Sequence, residues 1–262
     1  MSMHNRSRIN RLLQKWPKGT VAASKWLRQN DISRSLVQSY QAGGWVQRIG
    51  PGAVVRAGDT VGWPGAVYSL QAHYGLTVHP ASKTALGLHG SLHSLPLGSR
   101  ARVELHGLPG EYVPAWFTRG QWDADVALTR MKLFRGTPHE GLVSKQFGEF
   151  SILVSSRERA VLELLAGLQP DGAIEEAWHI MEGLMTLRPT LIQQLLVSCT
   201  SVKAKRLFMV LAEETEQPWL DRLELSSISF GSGKRAFATG GYLHPRYGIT
   251  VPRNWARVRE GV

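Results

Sequence analysis

The stretch NDISRSLVQSYQAGGWVQRIGPGAVVR, Asn30 to Arg56, decides the fold. Asp31-Ile32 closes a tight turn. Ser33 is placed to cap the helix that follows, because its hydroxyl can accept a bond from an orphan amide of the first turn. Leu36, Val37 and Tyr40 fall on one face of that helix, and Arg34, Ser35, Gln38 and Gln41 on the other. Gly43-Gly44 ends it, since glycine tolerates the left-handed conformation of a helix C-terminus. Trp45 to Ile49 then alternates as a strand, Gly50-Pro51-Gly52 turns it, and Ala53 to Arg56 returns. Helix and hairpin in this order make the recognition half of a winged helix. The pattern alone also describes a plain helix and hairpin with no ligand, so charge has to decide between the two.

Upstream, residues 1–8 are polar and basic and read as a loose arm. Ile9, Leu12, Leu13 and Trp16 recur at i, i+3, i+4 and i+7, which makes an amphipathic helix with one apolar stripe. Arg8, Arg11 and Lys15 lie away from that stripe. Pro17 and Gly19 end the helix. Ala23, Trp26 and Leu27 mark a second short helix with Lys25 and Arg28 outward, broken at Asn30-Asp31. Three helices and a hairpin complete the winged-helix order, with the third helix directed at a major groove and the second bracing it across the backbone.

The chain has 262 residues and a formal net charge of +11. Residues 1–56 hold ten Lys/Arg against the single acid Asp31, a net +9, which leaves +2 for the remaining 206 residues. A basic, foldable module joined to a near-neutral body is the electrostatic footprint of a phosphate-binding domain on a carrier. On this basis Arg34, Ser35, Gln38, Gln41 and Arg48 are candidate groove and wing contacts, and Arg11, Lys15, Lys25 and Arg28 candidate backbone contacts to double-stranded DNA. The one cysteine, Cys199, cannot make an internal disulfide and suits a reducing compartment. No apolar signal core and no apolar run of about 18 residues is present, so the expectation is a cytoplasmic protein that does not span a membrane.

Downstream, Pro64 starts a helix with Ala66, Leu70 and Tyr74 on one face, ended by Gly75. Ser82 or Lys83 opens another through Ala85-Leu86, ended by Gly87 to Gly90. This pair is expected to pack on the winged helix. From Leu97 to Val154 the period is nearer two, with strands expected at Arg102 to Leu105, Tyr112-Val113, Met131 to Phe134 and Phe150 to Val154. Ser155 and Glu158 fit a capping box. Helices follow with Val161, Leu164, Leu165 and Leu168 inward, then from a cap at Asp171 through Ile174, Ala177, Trp178 and Met181, then from Pro189 with Leu191, Leu195 and Leu196 inward, then from Val202 to Glu214. Ser227 to Phe237 and Tyr247 to Val251 read as closing strands around a Gly231-Ser232-Gly233 hairpin turn. The fold class is α+β. Residues 1–96 form a winged helix-turn-helix domain with a helical extension. Residues 97–262 form a mixed α/β C-terminal domain with a helical-bundle portion.

Catalytic and metal signatures fail on spacing. Among nine histidines there is no HExxH or HxH, and His89 and His93, four apart, are interrupted by Gly90. A metal-dependent nuclease of the restriction type would pair a carboxylate with a lysine two residues later, in the simplest form of the motif. None of the nine lysines has an acid two positions before it. Gly231 to Arg235, GSGKR, lacks the spacing of a phosphate loop and leads into a strand. No G-x-S-x-G elbow is present. The tryptophans fit core positions, with Trp45 expected to seal the junction of the third helix and the hairpin. No cofactor, metal or catalytic residue is expected.

The order of three stretches resembles the AbiE-type antitoxins, the regulator half of bacterial abortive-infection pairs of type IV. They are GGWVQRIGPGAVV (Gly43 to Val55), WPGAVYSLQ with VHPASKTALGLHG (Trp63 to Gln71 and Val78 to Gly90), and RAVLELL, LRPTLIQQLLVSC and KRLFMVLAE (Arg159 to Leu165, Leu187 to Cys199, Lys205 to Glu213). The resemblance implies a non-enzymatic regulator and repressor. Its N-terminal domain would bind repeats in its own promoter. Its C-terminal domain would counter a nucleotidyltransferase-like toxin from the same operon, without a stable complex. The alternatives are a plain winged-helix regulator whose second domain senses a ligand or partner, and a DNA-targeted nuclease.

Overall fold

The structure is a computed structural model that describes residues 3–91, 101–169, 174–253 and 255. His93, the expected cap Asp171 and the expected boundary at residues 96–97 lie outside the described residues. The chain divides into two compact units, and the division is not a single cut. The first unit takes Met1–His79, Leu97–Arg130 and Ser144–Val154, and the second takes Pro80–Pro96, Met131–Val143 and Ser155–Val262.

In the first unit, helix α1 (Met3–Lys15) buries Ile9, Leu12 and, just beyond its end, Trp16, as the stripe requires. It starts at Met3, within the segment expected to be a loose arm. No glycine or proline interrupts the chain before Pro17, so helix propagates by one bond per residue fixed. A two-residue strand β1 (Ala22–Ala23) precedes α2 (Ser24–Gln29). Asp31 at φ 60° makes the turn into α3 (Arg34–Ala42), and Ser33 Oγ accepts from the Leu36 amide at 3.2 Å. Leu36 and Tyr40 face inward with Val37 partly covered, and Gly44 at φ 71° releases the chain into the hairpin. Strands β2 (Val46–Gly50) and β3 (Ala53–Arg56) pair antiparallel, and β1 joins β3 on its other edge.

Helix α4 (Trp63–Tyr74) follows, with Pro64 in its first turn and Gly75 at φ 68° as its left-handed cap. Strand β4 (His79–Pro80) and helix α5 (Ser82–Leu88) come next. Strands β5 (Arg102–Gly107) and β6 (Asp125–Arg130) pair in parallel, in register from Arg102 opposite Asp125 to Gly107 opposite Arg130. Parallel strands need a crossover, and here it carries the short helix α6 (Ala115–Thr118). The strand expected at Tyr112-Val113 does not form. Glu111 instead accepts from the Thr77 amide (2.7 Å), the Thr77 hydroxyl (2.9 Å) and the Leu108 amide (3.1 Å), which turns the chain there and leaves Tyr112 77% exposed. Strands β7 (Leu142–Phe147) and β8 (Phe150–Ser155) form a hairpin. The Gln71 side chain stands in for a strand partner: its Oε1 accepts from the Leu153 amide at 2.8 Å and its Nε2 donates to the Leu153 carbonyl at 3.0 Å.

The second unit is built on α7 (Arg157–Gly167), α8 (Ile174–Glu182), α9 (Pro189–Ser198) and α10 (Val202–Glu214). Ala85 and Leu86 of α5 belong to this core, so α5 packs on α7 and does not extend the winged helix as expected. The middle of α10, Ala204 to Ala212, is buried on every side. A helix surrounded in this way forms the centre of a bundle. The expected Ser155–Glu158 capping box does not form: the cap moves to Ser156, and the residue three beyond it is Arg159, not an acid. Ser156 caps α7 by accepting from the Arg159 amide, while Ser155 donates to Glu163 at 2.7 Å. Met131 to Phe134 is not a strand; only Phe134 makes a bridge, to Cys199. Cys199 follows the end of α9 and is buried.

Strands β9 (Arg235–Ala236), β10 (Tyr242–His244) and β11 (Ile249–Val251) form a sheet in the order β10-β11-β9, with β9 parallel to β11. The strand expected from Ser227 is thus reduced to Arg235–Ala236, and Gly231-Ser232-Gly233 is not a hairpin turn. The buried Arg206 guanidinium draws that loop around itself, donating to the carbonyls of Phe230 (2.9 Å), Gly233 (2.8 Å), Gly248 (2.8 Å) and Gly231 (3.3 Å).

Candidate nucleic-acid interface

The cap at Ser33 sets where α3 begins, and the β2–β3 hairpin stands beside it. Between them runs a groove of about 410 Å³, lined among others by Arg28, Arg34, Gln38, Gln41 and Arg48. Three arginines meet there and the lining contains no acid. Arg34, Gln38 and Arg48 are exposed, Gln41 is half-buried, and Arg28 reaches the groove from α2. Arginine offers bidentate donors to guanine and glutamine matches adenine in a major groove, while any of the three cations can meet a phosphate.

The other candidates lie elsewhere in the unit. Ser35 is exposed, does not line the groove, and its hydroxyl shares a 2.9 Å hydrogen bond with that of Ser33. Arg11 and Lys15 line a second cleft of about 400 Å³ with Gln29, Asn30 and Asp31. Arg8 joins them, a residue the sequence reading placed on the outer face of α1 without counting it in the site. Its spacing to Arg11 and Lys15, i, i+3 and i+7, is the signal that would have included it. Lys25 lines neither cleft; its ammonium stands 6.0 Å from the centre of the Tyr74 ring. Trp45 does not seal the helix–hairpin junction. It is 39% exposed and lies over Gly43, because the chain leaves α3 through Gly44 and the ladder begins one residue later, at the buried Val46.

The module is held together behind these surfaces. Arg56 donates to the Leu13 carbonyl and its guanidinium lies 5.6 Å from the Trp16 ring centre, which ties β3 to α1. His73 of α4 stacks on Trp26 of α2 at 4.8 Å, and its Nδ1 accepts from the Ala23 amide at 3.5 Å. Burial pushes the His73 imidazole down to about 4, so it is neutral at physiological pH.

In the second unit Arg159 and Glu158 are engaged in structure. Arg159 Nε donates to Glu163 at 2.8 Å, while its Nη1 donates to the carbonyls of Pro138 and Glu140. Burial pushes the Glu158 carboxyl up, but hydrogen bonds from Arg188, its own backbone and Ser156 outweigh that and hold it at about 2. No group of three or more His, Cys, Asp or Glu side chains that could hold a metal occurs among the described residues. No helix among them is long and apolar enough to cross a membrane.

Three helices, a short antiparallel sheet and a basic groove between the third helix and the hairpin define a winged helix-turn-helix regulator. The chain belongs to the AbiEi antitoxin family of type IV toxin–antitoxin systems, whose members are described as transcriptional regulators. The family model for the AbiEi antitoxin N-terminal domain matches residues 5–97, and that for the AbiEi antitoxin matches residues 100–252. No curated relative matches the sequence. Among solved structures, the RV2827C protein from Mycobacterium tuberculosis shares the fold, with a TM-score of 0.56 at 14% identity over 98% of this chain and 95% of that one.

Proposed function

We propose that the chain is the DNA-binding antitoxin of a type IV pair. It represses its own operon by placing α3 in the major groove of repeats in its promoter. Residues 97–262 counter a nucleotidyltransferase-like toxin from the same operon, without a stable complex and without catalysis. Arg34 and Gln38 read bases, with Ser35 and Gln41 beside them. Arg48 contacts the backbone from the wing, and Arg11, Lys15, Lys25 and Arg28 set orientation on phosphates. The observation that supports this reading is the convergence of Arg28, Arg34 and Arg48 on one acid-free groove beside the exposed face of a capped helix. If six of the ten bases in residues 1–56 meet phosphate, the salt slope of binding is roughly −5.

The test separates two activities. The double variant Arg34→Ala with Arg48→Ala changes two exposed side chains, each worth about 0.5 kcal/mol or less in stability. Expressed from an unrelated promoter beside the neighbouring toxin gene, it is expected to lose repression and to keep protection. A variant that melts like wild type and loses both activities would refute the separation. It would favour a protein that protects only by silencing the toxin gene.

A further inference from the structure

The wing packs against a residue that lies outside the winged-helix stretch. Gly50 ends β2 and lies against Trp116 of α6 so closely that a Cβ on it would stand 2.9 Å from Trp116 Cβ and 3.0 Å from Trp116 Cα. Arg48 is tied to that same glycine, its Nε donating to the Gly50 carbonyl at 3.3 Å. Between Arg48 and Gly50 the register of the hairpin shifts around Ile49. Such an irregularity re-aims the side chain next to it.

Trp116 is itself immobilised. It is 1% exposed, its indole nitrogen donates to the Tyr74 hydroxyl at 3.1 Å, and Phe117 and Trp122 meet it edge-on at 5.9 and 6.2 Å. The Trp122 indole is fixed in turn by donating to the Phe117 carbonyl at 3.0 Å. Edge-to-face clusters of this size are stiff because each ring fills a complementary pocket. The chain of contact therefore runs from a rigid aromatic block through a glycine with no room for a side chain to the wing arginine.

We propose that Trp116 is the positioning residue of the wing. Through Gly50 it fixes where Arg48 stands across the groove from Arg34, and so sets the groove's fit to a DNA backbone. The inference rests on the DNA-binding reading above. Buried as it is, Trp116 offers nothing to DNA directly and acts through Arg48. It falls in the stretch matched by the second family model, so the geometry of the DNA-binding face depends on both family segments.

The test is a double-mutant cycle on the full chain. The probes are a duplex from immediately upstream of the chain's own coding sequence and a scrambled duplex of equal length. Arg48→Ala is expected to weaken binding on the order of tenfold and to make the salt slope shallower by about one. Trp116→Ala should produce a loss of the same size and the same change of slope. In the Arg48→Ala background it should cost less than about twofold, because the contact it positions is already gone. Trp116→Phe should restore most of the affinity. Gly50→Ala, which displaces the hairpin without emptying the aromatic block, should match Trp116→Ala and carries the cycle if Trp116→Ala fails to fold. Full additivity of either variant with Arg48→Ala would overturn the positioning role while leaving DNA binding intact. Unchanged affinity for both duplexes in Arg34→Ala, Arg48→Ala and their combination would instead put DNA binding away from this groove, and absence of binding by the unmodified chain would remove the DNA-binding reading; either result removes the inference with it.

Discussion

Arg188 closes on Glu158 with two guanidinium–carboxylate hydrogen bonds, Nε to Oε1 and Nη2 to Oε2, both 2.9 Å, and its own backbone amide adds a third to Oε1 at 3.0 Å. The arginine side chain is more than half exposed while the carboxylate is buried, so the pair is asymmetric. Its value lies in what its loss would leave behind.

Arg188→Ala removes both guanidinium donors and leaves the buried carboxylate with the backbone amide of position 188, its own backbone and Ser156. The expected destabilisation at neutral pH is about 1–3 kcal/mol, less than for a fully buried pair because solvent reaches the arginine. A carboxyl held down near 2 in the folded protein stabilises it above the usual carboxylate range, and that stability is lost as pH falls toward 2. The gap between variant and wild type should therefore narrow on acidification from pH 4.5 to 2. Denaturant melts across that range check it, and a gap independent of pH would show the carboxylate to be indifferent to its partner.

His73 gives the opposite group with the same direction of pH effect. Its imidazole, near 4 when folded against 6.5 when exposed, stays neutral while the unfolded chain takes up a proton. Stability should be full above pH 6.5 and fall by up to about 3 kcal/mol between pH 6.5 and 4 from this group alone. His73→Phe keeps a ring against Trp26 and should flatten the melting profile in that window. A profile as steep as wild type would assign the acid sensitivity elsewhere.

Arg34→Ala is expected to relax preference at one base pair by about 1–3 kcal/mol, because a bidentate contact to a base edge is the part of binding that reads sequence. Lys25→Ala should weaken all sequences alike and slightly, since its ammonium stands over Tyr74 and outside the groove. Binding isotherms on operator and scrambled DNA decide. Equal losses on both duplexes for both variants would show that α3 is not the reading element.

Arg206→Met keeps length and apolar contact but removes donors from the carbonyls of Phe230, Gly231, Gly233 and Gly248. Carbonyls left unsatisfied cost about 1–3 kcal/mol each when buried, but Gly248 keeps the Arg235 amide and water can reach part of this loop, so a total of about 2–4 kcal/mol is expected. Hydrogen exchange at the Arg235 and Phe237 amides, which bond to Gly248 and Thr250, should accelerate first. Unchanged protection there would mean that the sheet holds the loop and the arginine is incidental.

The winged helix was legible because its signals are local. Ser33 caps through its own hydroxyl, Gly44 and Gly75 sit where the backbone turns left-handed, and the α1 stripe needs nothing beyond its own period. What could not be read depends on partners far along the chain. Ala22–Ala23 is a strand only because β3 passes it, and the parallel pairing of β5 with β6 is written in neither strand. Ser155 and Ser156 are equally good caps on paper, and Glu163, about two helical turns beyond both, takes the first and leaves the second. The candidate site divides in the same way. Outward residues on α3 and the wing could be picked from their period, whereas Gly50 against Trp116 joins positions that no periodicity connects.

The way the first unit is assembled from separate stretches has a consequence for the order of events in synthesis. Its last stretch ends at Val154, while its first stretch is complete at His79. At about 5–20 residues per second, a ribosome needs roughly 4–15 seconds to make the intervening 75 residues. During that interval the nascent chain carries α3 and the hairpin without the aromatic block that fixes the wing or the β8 strand that Gln71 completes. On the proposed reading, a chain still being translated would be a poor repressor of its own promoter, and repression would begin only once about a third of residues 97–262 has been made.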